Sequence, residues 1–126
     1  MKTLQAVAIS LLAGAALGAL VVHGLHAQTK PPAYVVGEIE VTDQERYFKE
    51  YVPAAMKAIA DGGGKYIVRN GKTVSLYGEP PRALAIMRFD SLEKAQAAFG
   101  ARPYTDAKSI GDKYARFRIY AVEGLE

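Results

Sequence analysis

Twice in this chain, a segment of alternating apolar residues runs straight into a helix-capping signal. Tyr34–Val41 places Val35, Gly37, Ile39 and Val41 on one side, and Thr42-Asp43-Gln44-Glu45 follows at once. Ala83–Phe89 has the same character and leads directly into Asp90-Ser91-Leu92-Glu93. Alternation with period two is the pattern of a strand with one buried face. A small polar residue with Glu three positions later serves the unpaired amides at a helix start. A chain that passes twice from strand to helix in this way must fold its helices back over its strands to bury both apolar sides.

The other elements fall between and after these units. The first helix is expected to run toward Asp61 with Phe48, Val52, Ala55 and Ile59 as its core stripe. Pro53 lies inside it and should kink or split it. Gly62-Gly63-Gly64 ends it, because a helix exit favours positive φ. Lys65–Arg69 reads as a second strand closed by the turn signal Asn70-Gly71. Thr73–Tyr77 is either a hairpin arm or an extension of the sheet edge, and Gly78-Glu79-Pro80-Pro81 is a loop. After the second capping signal, Leu92, Ala95 and Phe99 form a helix stripe, Gly100–Pro103 interrupts it, and Tyr104–Gly111 is a further short helix. Phe117–Val122 is the last strand. The order is β-α-β-β-α-β. The expected fold is therefore α+β and ferredoxin-like, a four-stranded antiparallel sheet in the order 4-1-3-2 with its helices on one face.

The uncovered face is unusual. It is expected to carry Val36, Glu38, Glu40, Ile67, Arg69, Leu84, Ile86, Arg88, Arg118, Tyr120 and Val122. A sheet face meant for water is mostly polar, whereas half of these positions are large and apolar. The expected cover is a second copy of the chain, two sheets closing into a dimeric α/β barrel. Glu38 is then expected between Arg88 and Arg118, where opposite charges on neighbouring strands attract. Enclosed in a barrel, such a cluster must be paired internally or by a ligand. It is either an anion pocket, with Arg88, Arg118 and Arg69 gripping a carboxylate, or an ion-pair network that fixes dimer register.

Composition sets the limits on chemistry. Met1–Ala27 holds one charged residue, Lys2, then an apolar run from Leu4 to Val22 and the exit Gly24-Leu25-His26-Ala27. This is the layout of a secretory signal. The expected organisation is a signal peptide over residues 1–27, a linker over 28–32 and one domain over 33–126, in the periplasm or outside the cell. The alternative is an uncleaved membrane anchor, since the run approaches the roughly 17–25 residues that span a bilayer. No membrane association is expected once the segment is removed. Both histidines, His23 and His26, belong to this segment, and the chain has no cysteine. The domain therefore lacks imidazole and thiolate, which removes the usual zinc, copper and haem ligands and the Ser-His and Cys-His nucleophile systems. No metal or cofactor is expected. The whole chain carries a formal charge of +3, of which Lys2 supplies one unit. So small and dispersed a charge argues against a nucleic-acid partner.

Acid–base chemistry falls to Tyr, Glu, Asp or Lys. Tyr47 and Tyr51 lie one helical turn apart, either lining a pocket mouth or bordering a packed helix. Tyr104, behind Pro103, either swings its phenol over a cavity or packs behind a helix start. Glu79 is the best-placed free carboxylate, on a loop and without a visible partner. Gly62-Gly63-Gly64 follows a helix and lacks the Gly-Lys-Ser/Thr ending, so it is not a phosphate loop.

Pro32-Ala33-Tyr34-Val35-Val36, Gly63-Gly64-Lys65-Tyr66, Gly71-Lys72-Thr73-Val74, Gly78-Glu79-Pro80-Pro81, Phe89-Asp90-Ser91-Leu92-Glu93-Lys94-Ala95, Pro103-Tyr104 and Arg116–Gly124 together resemble the uncharacterised bacterial family called domain of unknown function 1330. The resemblance covers residues 32–126. It implies membership of the dimeric α/β-barrel superfamily, with a ferredoxin-like protomer and a barrel-forming homodimer. That superfamily includes cofactor-independent monooxygenases, isomerases and haem-degrading enzymes, and the family has no agreed catalytic residues to carry over. The expected function is a homodimeric domain that binds a small organic, carboxylate-bearing molecule between sheet and helices. The alternative is a cofactor-independent enzyme of monooxygenase or isomerase type that uses Tyr and Glu for proton transfer.

Overall fold

Four strands and their connections follow the alternation read from the sequence. The computed structural model describes residues 30–125, so the export segment expected over residues 1–27 lies outside the described residues. The strands are β1 (Ala33–Val41), β2 (Lys65–Arg69), β3 (Ala83–Phe89) and β4 (Ala115–Glu123). They form one antiparallel sheet in the order β2-β3-β1-β4, which is the ferredoxin-like arrangement. The helical segments are α1 (Gln44–Arg46), a π-helical turn (Tyr47–Tyr51), α2 (Val52–Asp61), α3 (Leu92–Gly100) and α4 (Arg102–Gly111). Among the described residues no helix is long and apolar enough to cross a membrane.

Both helix starts are capped, each a residue later than the sequence pattern implies. Asp43, not Thr42, is the first N-cap, and its Oδ1 accepts the Arg46 amide at 3.2 Å. Thr42 is instead tied to the turn between α4 and β4, its amide donating to the Tyr114 carbonyl at 2.8 Å. Ser91 caps α3 by accepting the Lys94 amide at 3.2 Å.

Pro53 changes the phase of the first helix. It has no amide hydrogen, and its ring crowds the carbonyl four residues back. The chain answers with the wide turn just before it, in which the Val52 amide donates to the Tyr47 carbonyl, five residues earlier. A π-turn holds one extra residue, so the helix face slips by about one position. The expected stripe of Phe48, Val52, Ala55 and Ile59 is corrected accordingly. Tyr47, Tyr51, Ala55, Ala58 and Ile59 are buried, while Phe48 is 49% exposed.

The core lies between the helices and one face of the sheet. Phe89 and Val35 are its largest fully buried side chains, each worth about 1.5–3 kcal/mol by removal from water. Ala55, Ala58, Ala95, Ala98 and Ala107 supply the buried helix surface and permit close approach. Gly64 is needed where α2 returns to the sheet, since a Cβ there would lie 2.5 Å from the Phe89 ring.

β2 and β3 are not joined by a tight hairpin. Asn70 adopts φ 53, but residues 71–82 form neither a strand nor a sheet extension. The arm carries Val74, Leu76 and Tyr77 outward, the last two 86% and 101% exposed.

Candidate functional site

Three groupings of chemically capable side chains emerge from this frame. The first is an aromatic cluster inside the protomer. The phase slip at Pro53 turns Tyr47 and Tyr51 inward. Their ring centroids are 5.1 Å apart, and that of Tyr51 is 5.0 Å from that of Phe117 on β4. Tyr104 enters from the first turn of α4 and packs on Phe99 at 4.3 Å. The hydroxyls of Tyr51 and Tyr104 meet at 3.0 Å. Gly111 makes room for this arrangement, because a Cβ there would fall 2.6 Å from Tyr51 Cδ2. Tyr47 and Tyr51 are thus core residues, not the border of a packed helix, and Tyr104 packs behind its helix start.

Burial dominates the acidity of these phenols. It pushes Tyr47 up to about 12, with Tyr104 adding to the effect. Tyr66 on β2 is likewise raised to about 12 by burial. Burial also raises Tyr51, reinforced by Tyr104, and raises Tyr104 itself. At neutral pH all four are hydrogen-bond donors, not bases. Beside them is a void of about 30 Å³ lined by Tyr51, Tyr66, Tyr104, Met87 and Phe99 among others. That is room for about one water molecule and for no organic ligand. No buried side-chain polar atom among the described residues lacks a partner.

The second grouping is a cleft of about 280 Å³ between α3 and β4, lined by Val35, Ala95, Gln96, Phe99, Tyr104, Ile119, Tyr120 and Ala121. Phe99, Tyr104 and Ile119 line both the cleft and the inner void. Gln96 is the polar side chain of this apolar wall, since the Tyr104 hydroxyl is engaged with Tyr51 in the core and the Tyr120 phenol with Glu38 on the open face.

The third grouping is on the uncovered face of the sheet. Strand register places Glu38 between Leu84 on β3 and Arg118 on β4. Arg118 Nε is 3.8 Å from Glu38 Oε2. Tyr120 shares this corner: hydrogen bonding to the Glu38 carboxylate raises its phenol, and the Arg118 guanidinium stands 6.0 Å from its ring. Glu38, Glu40, Glu79, Arg82, Arg116 and Arg118 together line a notch of about 350 Å³.

Two expected site residues stand elsewhere. Arg88 is opposite Tyr34, four residues along β1 from Glu38, or about 13 Å at the rise of a strand. Its Nη1 pairs with Asp90 Oδ1 at 3.2 Å. Arg69 leaves the open face altogether, because a bulge between Tyr66 and Val68 reverses the alternation. Val68 takes the position beside Ile86, and Arg69 turns toward α2, where Nη1 lies 2.8 Å from Met56 Sδ. The structure therefore joins Glu38, Glu79 and Arg118 in one place and Tyr47, Tyr51 and Tyr104 in another, with Arg69 and Arg88 in neither.

Sequence reasoning missed Tyr66, Phe99 as a cleft wall, Arg82 and Arg116. Arg116 was visible in principle: the even positions 116, 118, 120 and 122 alternate, and β4 begins two residues before the expected Phe117. Among the described residues, no set of His, Cys, Asp and Glu side chains is grouped to hold a metal ion.

The sheet order and single helical layer define a ferredoxin-like α+β protein. The family described as Domain of unknown function (DUF1330) matches residues 32–125, and the chain belongs to it. No curated protein matches it. Among solved structures it is similar to a protein of unknown function from Rhodopseudomonas palustris, at 13% identity and TM-score 0.63, over 84% of this chain and 92% of that one. It is also similar to SnoaB, a cofactor-independent oxygenase from Streptomyces nogalater, at 6% identity and TM-score 0.56, over 76% and 95%. A dimeric protein of unknown function with a ferredoxin-like fold from Bacteroides fragilis shares 13% identity at TM-score 0.51, over 74% and 96%. At these identities the likeness is one of fold.

Proposed function

We propose that this protein is an exported, homodimeric binding domain that takes a small, apolar organic molecule in the cleft between α3 and β4. The observation that carries the reading is the cleft wall: a ligand-sized space whose lining is apolar, backed by the Phe99–Tyr104 stack. Small-molecule sites combine such walls with a few oriented polar groups, and here Gln96 is placed to serve as one. The cleft holds no cation, so it favours an uncharged ligand over the carboxylate read from the sequence.

Dimerisation through the open face is supported by its row of Val36, Ile86, Val68 and Tyr120, apolar or aromatic side chains with no helix above them. The uncovered Leu76 and Tyr77 of the arm add to the same demand for cover. Export is supported by the layout of residues 1–27.

The test is titration of the purified chain with 2-naphthol, an uncharged aromatic probe, read by NMR shifts at Phe99 and Tyr104. Saturable binding is expected, reduced about tenfold, or roughly 1.4 kcal/mol, by Ala121→Trp, which fills the cleft from an exposed position. Equal affinity in the variant would exclude the cleft.

Catalysis is a second reading, favoured by one observation: Tyr104, which lines the cleft, joins its hydroxyl to that of Tyr51 behind the cleft wall, in a fold shared with a cofactor-independent oxygenase. The phenols could donate hydrogen bonds to a substrate oxygen, but a base would have to come from elsewhere.

A further inference from the structure

The notch at the end of the open face has an unusual electrostatic composition. Three carboxylates, Glu38, Glu40 and Glu79, and three guanidinium groups, Arg82, Arg116 and Arg118, line one hollow of about 350 Å³. Exposed opposite charges gain little by pairing directly and remain available to a ligand that offers both signs. Here, among the described residues, the sole ion pair within the set is Glu38–Arg118, and it is loose at 3.8 Å. Glu40 and Arg116 are directly opposite across β1 and β4, yet their side chains do not form an ion pair. Glu79 and Arg82 likewise form neither an ion pair nor a side-chain hydrogen bond with any described residue. The hollow keeps positive and negative groups apart around a common space.

Its wall is pre-set. Glu79 and Arg82 flank Pro80-Pro81, whose rings fix φ and limit how far the loop can collapse. Pro80 and Pro81 also give the hollow an apolar wall. The volume is near the lower end of the range for small-molecule sites.

The geometry points to a binding site for a small zwitterion, an α-amino acid with an apolar side chain. Three acidic and three basic groups carry no net charge between them. A simple anion attracted by the arginines meets equal repulsion from the glutamates, and a simple cation meets the reverse. A molecule carrying a carboxylate and an ammonium group a few ångströms apart satisfies both sets at once, with charge-assisted hydrogen bonds at each end. Its side chain rests on Pro80 and Pro81. This site is distinct from the α3/β4 cleft and does not depend on it.

The test uses the purified chain and three matched probes: leucine, 4-methylpentanoate, which lacks the ammonium group, and 3-methylbutylamine, which lacks the carboxylate. Leucine is expected to bind about tenfold more tightly than either analogue, with NMR shifts at residues 79–82 and 116–118. Arg116→Gln and Glu79→Gln, both exposed positions, should each remove most of that advantage, and both at once should reduce leucine to the level of its analogues. Equal binding of leucine and 4-methylpentanoate, shifts confined to Phe99 and Tyr104, or no binding by leucine would each overturn the proposal.

Discussion

The hydroxyls of Tyr51 and Tyr104 are 3.0 Å apart in the protein core, brought together from helices 53 residues apart in sequence. Each phenol is the other's hydrogen-bond partner, so removing one strands the other. Tyr104→Phe should destabilise the protein by about 1–3 kcal/mol, the usual cost of a buried polar group left alone. Tyr51→Phe should cost a similar amount. The double variant should cost clearly less than the two single losses together, because no orphan remains. Urea unfolding of the four proteins measures this directly, and strict additivity would show that the pair is not coupled.

The same phenols make alkaline stability predictable. An unfolded tyrosine loses its proton near pH 10. In the folded protein, burial holds Tyr47 and Tyr66 until about 12 and raises Tyr51 and Tyr104 as well. Above pH 10 the unfolded chain therefore binds fewer protons than the folded one, and stability falls as pH rises. Each retained proton contributes a slope of about 1.4 kcal/mol per pH unit. Unfolding free energy should be flat with respect to these groups between pH 7 and 9 and drop steeply between 10 and 12. Tyr51→Phe should make that drop shallower. An unchanged slope in the variant would show that Tyr51 titrates alike in both states.

Much of the fold was legible because its signals are local. Alternation at Val35, Gly37, Ile39 and Val41, the cap at Ser91 and the glycines after Asp61 each state a conformation within a few residues. The site was less legible because it depends on phase and register. Pro53 visibly threatened its helix, but whether the chain would kink or widen decides if Phe48 or Tyr47 faces inward. One bulge after Tyr66 carries Arg69 to the other side of the sheet. Arg88 and Glu38 look like partners until the β1–β3 register is known, since nothing local in either strand states the offset. Arg82 joined the notch through the long β2–β3 loop, whose path no short-range pattern describes, whereas Arg116 was missed because β4 begins two residues before the expected strand.

The proposed dimer predicts a solution behaviour. Ile86 is on the open face, flanked in register by Val36 and Val68. Ile86→Asp should leave the protomer folded and shift it to monomer, at a cost to association of about 2 kcal/mol or more for a central apolar contact. Leu76→Asp, on the uncovered arm, should weaken association to a lesser degree. Sedimentation velocity across a concentration series reads both. A native chain that stays monomeric at high concentration would remove the dimer.

Gly111 offers a way to disturb the tyrosine pair without touching either tyrosine. It ends α4 where a Cβ would lie 2.6 Å from Tyr51 Cδ2 and 2.9 Å from Phe117 Cζ. Both neighbours are aromatic rings confined by other rings, since Tyr51 also packs on Tyr47 and Phe117 also faces Tyr47 at 6.3 Å. Rings so held yield little, so Gly111→Ala should destabilise by about 1–3 kcal/mol as an overpacked core position. Glycine-to-alanine changes usually stabilise where the backbone allows, so the sign itself is informative. The added methyl group should also push the Tyr51 ring and lengthen its contact with Tyr104, which NMR can read as a faster-exchanging hydroxyl proton. A stability gain in Gly111→Ala would mean that the Tyr51 and Phe117 rings have slack, and that the aromatic cluster is looser than these contacts imply.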